Sequence, residues 1–220
     1  MQENLSEFLK YLASLKKDDE DKIPALDELS KDLGINRAAL REQVAVARAL
    51  GLVAIKPRVG TRRLDYSFTP ALQQSLGYAI LFDRENFDKY SDLRTHVESA
   101  YFHQAVKELR EEDIAELKEL VNKAWEKLRG TPAKIPHQEH RALHLMMYCR
   151  LDNVFITGIL EAYWEAYEAV DLNVFTDYTY LTDVWEYHAN IVEAIERGDY
   201  DHAHQLLLDH TKLITVRPTF

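Results

Sequence analysis

A chain of 220 residues, 46% hydrophobic and 29% charged, has a globular composition and enough length for one large or two small domains. With 7 Gly and 6 Pro, one cysteine (Cys149), no apolar run near ~18 residues and no apolar leader core, it excludes collagen-like, low-complexity and most all-β folds, a disulfide framework, a CxxC site, a membrane span and a signal peptide; cytoplasm is the expected compartment. The formal charge of −10 is uneven: residues 1–69 carry net +1 and residues 70–220 net −11, while within 31–63 eight basic side chains stand against Asp32 and Glu42, a local island suited to a polyanion.

In chain order, apolar residues at 5, 8, 9, 12 and 15 mark a first helix, ended by the charged stretch Lys16 to Lys22. Pro24 opens a second short helix, ALDELSKDLG, with Leu26, Leu29 and Leu33 on one face and Gly34 as its stop. Asn36 suits the N-cap of a third, RAALREQVAVARAL, which Gly51 ends. Leu52 to Ile55 reads as a short strand, Lys56-Pro57-Arg58 with Gly60 as a turn, and Thr61 to Leu64 as the returning strand. Helix, helix, turn, helix and a basic β-hairpin describe a winged helix-turn-helix. Asp65 to Pro70 reads as a linker. Helices are expected over about 70–83, 86–109, 111–129, 136–151, 153–171, 176–197 and 199–215, with breaks at Arg84-Glu85-Asn86, Gly130-Thr131-Pro132, Asp152-Asn153, Asp171-Leu172-Asn173 and Gly198-Asp199. The fold class is therefore mainly α: a winged helix-turn-helix with a small β-hairpin wing over 1–69, and an all-α helical bundle over 70–220.

The second helix of a helix-turn-helix enters the major groove by its N-terminal end. Arg37 and, one turn on, Arg41 sit there, and a planar guanidinium grips guanine or phosphate in bidentate fashion. The wing adds Lys56, Arg58, Arg62 and Arg63, and Gly60 and Thr61 at its bend permit close backbone approach. The stretch KIPALDELSKDLGINRAALREQVAVARALGLVAIKPRVGTRRL, about 23–64, resembles the DNA-binding domain of GntR-family transcription regulators, most specifically in GINRAALREQ and GLVAIKPRVGT. The resemblance implies that Arg37, Arg41 and Gly60 occupy DNA-contacting positions. It also shows a departure: Asp27 stands where the family has an Arg that helps contact DNA, with Lys31 one turn on as a substitute cation. The candidate nucleic-acid contacts are Lys31, Arg37, Arg41, Lys56, Arg58, Gly60, Thr61 and Arg62.

In the second half, His140 and His144 are four apart on one helix and share a face. His188 lies ten residues before the Gly198-Asp199 break and His210 eleven after Asp199, about 15 and 16.5 Å at 1.5 Å per residue, so a hairpin brings the two rings level. Side chains converging from facing helices are what a metal site in a bundle requires. Four imidazoles suit Zn²⁺, Ni²⁺, Co²⁺ or Cu²⁺ and not Mg²⁺ or Ca²⁺. His96, His103, His137, His202 and His204 have no such argument, and His202 and His204 are expected to face solvent.

Residues 70–216 resemble the helical effector domain of the FadR subfamily, in LRTHVESAYFHQAV, HRALHLMMYCRLDNVF and YHANIVEAIERGDYDHAHQLLLDH. The resemblance implies a divalent metal, Zn or Ni, held by His140, His144, His188 and His210, with His140 in the family's Asp position. A rival register sets His140 at the family's His and Pro136 at its Asp. In the first register, His140 is a ligand, or else a neighbour of the ligands or of an effector. The resemblance further implies a small carboxylate effector, an organic or sugar acid, bound at the metal with Arg94 as its anion clamp; a structural ion pair between Arg94 and Glu98 is the other reading. The aromatic stretch Tyr163 to Tyr167, with Tyr178, Tyr180, Trp185 and Tyr187, serves either core and dimer contacts or a pocket wall.

The function expected is a ligand-responsive transcription regulator binding double-stranded operator DNA as a homodimer, with no membrane partner and no enzymatic activity. Two alternatives stand beside it: a metal-dependent enzyme using the four histidines with Glu139 or Glu193 as base, and a DNA-binding protein whose helical domain binds a partner and senses nothing.

Overall fold

The computed structural model describes residues 4–16, 21–169 and 177–215. The expected charged stretch at 17–20 and the break at Asp171-Leu172-Asn173 lie outside the described residues. The chain packs as two compact units, Met1–Leu76 and Gly77–Phe220.

In the first unit, α1 (Glu7–Ser14), α2 (Leu26–Asp32) and α3 (Arg37–Ala49) precede a hairpin of β1 (Val53–Lys56) and β2 (Gly60–Arg63). Side-chain caps start α1 and α3, while α2 begins at Ala25 with none. Ser6 accepts from Leu9 N, and Asn36 accepts from Ala39 N at 2.9 Å, so orphan first-turn amides are satisfied. Gly34 ends α2 at φ 65°, in the left-handed region that favours glycine. Gly51 does the same after α3 at φ 72°, and a Cβ there would lie 2.5 Å from Pro70 Cγ. The apolar stripes converge on Phe8, Leu12, Ile23, Leu29, Leu40, Val44, Ala47 and Val53. Burying each large member stabilises the unit by roughly 1.5–3 kcal/mol.

The antiparallel hairpin pairs Val53 with Arg63 and Lys56 with Gly60. Arg58 at its tip has φ 65° and Gly60 has φ 99°. A segment not expected from sequence covers the outer edge of β2. There Ile23 N donates to Thr61 O at 2.9 Å and Arg63 N donates to Asp21 O at 2.7 Å. This pairing removes a bare strand edge.

Then α4 (Thr69–Phe82) runs from the first unit into the second, which continues with α5 (Glu85–Lys107), α6 (Glu111–Arg129), α7 (His137–Met147), α8 (Val154–Ala169), α9 (Tyr178–Glu196) and α10 (Tyr200–Thr215). The fold is mainly α, a winged helix-turn-helix followed by a helical bundle. Within the bundle α9 packs on α10 and α6, α6 on α7, and α5 on α10 and α8. Phe102, Leu117, Leu143, Leu160, Trp185 and Ile191 lie in its core. The expected 136–151 helix is shorter: α7 ends at Met147 and the chain turns. Tyr148 and Leu151, apolar at helical spacing, are still buried, at 3% and 7% exposure, but from a turn. Among the described residues no helix is long and apolar enough to cross a membrane.

Candidate metal centre and nucleic-acid face

Three helices bring four imidazoles together. His140 and His144 stand one turn apart on α7, His188 is mid-α9 and His210 is near the end of α10. Each offers a nitrogen within 4.8 Å of the others. Ring centroids are 4.4 Å apart for His188 and His210, 4.7 Å for His140 and His188, and 5.1 Å for His140 and His144. His144, His188 and His210 are fully buried, and His140 is half-buried.

Burial comes first among the causes that hold His144, His188 and His210 well below the usual imidazole pKa. For His144 the Arg94 guanidinium adds to it; for His188 the neighbouring histidines do. The three rings are therefore neutral near pH 7, the form that ligates a metal. His188 Nδ1 and both nitrogens of His210 are buried with no hydrogen-bond partner. Each such orphan costs roughly 1–3 kcal/mol, and a cation between the rings answers that cost. The nitrogen-only donor set fits a late first-row divalent ion and not Mg²⁺ or Ca²⁺.

Around the rings, α8 supplies Trp164, 4.7 Å from His140 and 5.2 Å from His144, and α9 supplies Trp185, 4.9 Å from His188. Trp164 Nε1 is a buried donor with no acceptor. From α5, Arg94 reaches the cluster and is 1% exposed. Its Nη2 lies 2.8 Å from His144 Nδ1 and 2.9 Å from Glu98 Oε1. Tyr163 and Trp164 stand 4.7 and 5.4 Å from its guanidinium. Burial raises the Glu98 carboxyl above its usual value, against the pull of Arg94. A cavity of about 10 Å³, space for about one water, lies against His140, beside Pro136, Tyr167, Tyr180 and Trp185.

The other sequence candidates fall elsewhere. Glu139 pairs with Lys127 at 2.6 Å and Glu193 with Arg197 at 3.0 Å. His202 is exposed, as expected. His204 is not: half-buried, it stacks on Phe102 at 5.4 Å and bonds Ser99 Oγ at 2.9 Å, because α10 packs on α5 there. Sequence reasoning left Glu98 as a bare ion-pair partner and gave Trp164 no specific place. The signal for Arg94 and Glu98 lies in the α5 stripe Phe87, Tyr90, Arg94, Glu98, Phe102, Ala105, where two charged residues occupy buried positions.

In the first unit Lys31, Arg37, Arg41, Lys56, Arg58, Gly60 and Arg62 are exposed and Thr61 is half-buried. Arg63 instead turns back, donating to Leu15 O at 3.2 Å and to Asp21. Asp27 does not stand alone: its Oδ1 lies 3.0 Å from Arg37 Nη1, so the acid in α2 holds the first arginine of α3. Val46, 52% exposed, is an apolar side chain on the surface of α3 that the sequence did not single out.

Residues 90–213 match the FCD domain. The chain is similar to the HTH-type transcriptional regulator LutR of Bacillus subtilis (strain 168), 21% identical over 197 residues, covering 86% of this chain and 88% of the relative. It is also similar to the HTH-type transcriptional regulator YieP of Escherichia coli (strain K12), 26% identical over 185 residues, 82% of this chain and 79% of the relative. Among solved structures, Streptococcus agalactiae GntR superposes with TM-score 0.70 at 18% identity over 97% of both chains. Lar, which controls the expression of the Listeria monocytogenes agr system, superposes at 0.54 and 15% identity, over 96% of this chain and 93% of that one.

Proposed function

Because the chain belongs to the GntR family of transcription regulators, in the branch that carries an FCD domain, we propose that its helical unit, of the FadR type, holds a divalent metal, zinc or nickel, and reads a small carboxylate bound there. The chain is a regulator and not an enzyme. The observation that carries the metal reading is the convergence of four imidazoles, three of them fully buried and held neutral, with orphaned ring nitrogens. His140, His144, His188 and His210 would hold the ion, which supplies a Lewis-acid anchor for an anion. His140 in place of the family's Asp leaves the ligand set uncharged, so the centre keeps the full ionic charge and favours an anionic guest.

Arg94 supports the carboxylate reading. It is a buried cation beside the cluster with its Nε–H unpartnered. The cavity against His140, with Tyr167 and Tyr180 in its wall, marks one side from which a guest reaches the cluster. Organic and sugar acids have the required charge; the cavity wall decides among them.

DNA contact falls to the basic face of the first unit: Arg37 and Arg41 at the start of α3, Lys31 beside them, and Lys56, Arg58, Gly60, Thr61 and Arg62 in the wing. The regulator works as a homodimer on a two-fold operator, in the cytoplasm. Elemental analysis of the purified chain beside the His144→Ala/His188→Ala variant tests the centre. The expected result is about one zinc or nickel per chain, lost in the variant, together with a rise in Tm of several degrees on metal loading of the wild type only. Equal metal content in both proteins would overturn it.

A further inference from the structure

His144 meets demands that its ring cannot satisfy at once. Nδ1 lies 2.8 Å from Arg94 Nη2 and 3.1 Å from Glu98 Oε1, while Nε2 lies 3.2 Å from His188 Nε2. A guanidinium only donates and an ionised carboxylate only accepts. A neutral imidazole carries one proton. Nδ1 therefore accepts from Arg94 or donates to Glu98, never both.

The two tautomers divide the contacts cleanly. With the proton on Nε2, the ring donates to His188 and accepts from Arg94. With the proton on Nδ1, it donates to Glu98, and the Nε2 lone pair is free on the side where the other histidines converge. Only the second can ligate a cation through Nε2, and in it the Arg94 donor faces the Nδ1–H donor, which is repulsive.

We propose that this choice couples metal occupancy to Arg94: without a metal His144 holds Arg94 through Nδ1, and with Nε2 as a ligand it turns to Glu98 and frees for an anion the Arg94 Nη2 N–H that faced Nδ1, while Nη2 keeps its ion pair with Glu98. The proposal rests on the metal reading above. The ring stays neutral throughout, so this is a proton relocation and not a titration. Glu98 is a positioning residue; Arg94, with Nε–H already unpartnered and its plane held by Tyr163 and Trp164, is the group that changes partner. Recognition of a carboxylate is then metal-first.

The test uses the full chain, ¹⁵N-labelled at histidine, stripped with chelator and titrated with zinc. The His144 signals are identified by their loss in His144→Gln. The expected result is Nε2–H without zinc and Nδ1–H with it. Zinc affinities by chelator competition are the second readout. Glu98→Gln is expected to weaken zinc about 10-fold or more. Arg94→Gln is expected to tighten it several-fold, because it removes the donor that competes for Nδ1. Opposite signs from two halves of one ion pair are not what a merely structural role produces. Where Arg94→Gln does not fold, Arg94→Lys keeps the charge beside Glu98, loses the planar fork and has the same expected sign. The same tautomer with and without zinc, or weaker zinc in both variants, overturns the coupling while leaving the metal centre intact. No zinc bound by the wild type overturns both.

Discussion

Asp113 does two things with one carboxylate. Oδ2 accepts from Arg110 N at 2.9 Å, closing the first turn of α6, and both oxygens accept the Arg150 fork at 2.7 Å each. The Arg150 bond leads the causes that hold this carboxyl below the usual 3.8, followed by the Arg110 amide. A folded-state value below the unfolded one gives stability that is complete above the ordinary carboxylate range and lost as pH falls through the depressed value. Asp113→Asn is therefore expected to lower Tm by a few degrees at pH 7, with the gap to wild type closing as pH falls below 3.8. Parallel melts across pH 3 to 7 check it, and a gap that widens on acidification would refute it. This contact and the cluster were unequally legible in the sequence. The histidines could be placed because a spacing of four on a helix and a pair level across a hairpin are one-dimensional facts. Glu98 and Trp164 reach the cluster from α5 and α8, and only tertiary packing sets which face they show it.

At the scale of elements, an ion pair links α2 and α3. Asp27 and Arg37 are both more than half exposed and 3.0 Å apart, so their pairing contributes at most about 1 kcal/mol. On the proposed DNA contact by Arg37, its effect belongs to binding: Arg37 would leave Asp27, or carry that negative charge, toward the phosphates. Asp27→Ala is expected to tighten binding to an operator-length duplex about 2- to 5-fold at low salt and to leave Tm unchanged, read by fluorescence anisotropy. Weaker binding would mean that Asp27 orients Arg37 productively. The helix-turn-helix was legible because its caps and stops are local: Asn36, Gly34 and Gly51 act on the residues beside them. The strand-like segment at Asp21–Ile23 was not, since a partner for β2 forty residues away leaves no periodicity in so short a stretch. The early end of α7 was hidden because Tyr148 and Leu151 meet the same core from a turn as from a helix, and Arg150 binds Asp113 from that turn.

For the whole molecule, charge and exposed apolar surface point to different tasks. The first 69 residues carry net +1 and the remainder net −11, so attraction to DNA comes from the basic island and the helical part repels it. The helical part shows a patch instead: on α4, Tyr78, Leu81 and Phe82 are 71%, 90% and 79% exposed, with Tyr78 stacked on Phe82 at 6.3 Å. Adjacent large apolar side chains left in water favour burial against a partner surface. A two-fold dimer of this sequence would bury the patch against its own copy and present two basic faces, one per chain, matching a palindromic operator. Leu81→Glu with Phe82→Glu is expected to yield monomers in sedimentation velocity with the fold retained by circular dichroism. Its operator affinity should fall at least 10-fold and its salt dependence should drop to about half, because each phosphate contact contributes about 0.9 to the slope of log K against log salt and half the contacts are gone. A variant that stays dimeric would move the interface off α4. A monomeric variant with an unchanged slope would show that one basic face, not two, engages the duplex.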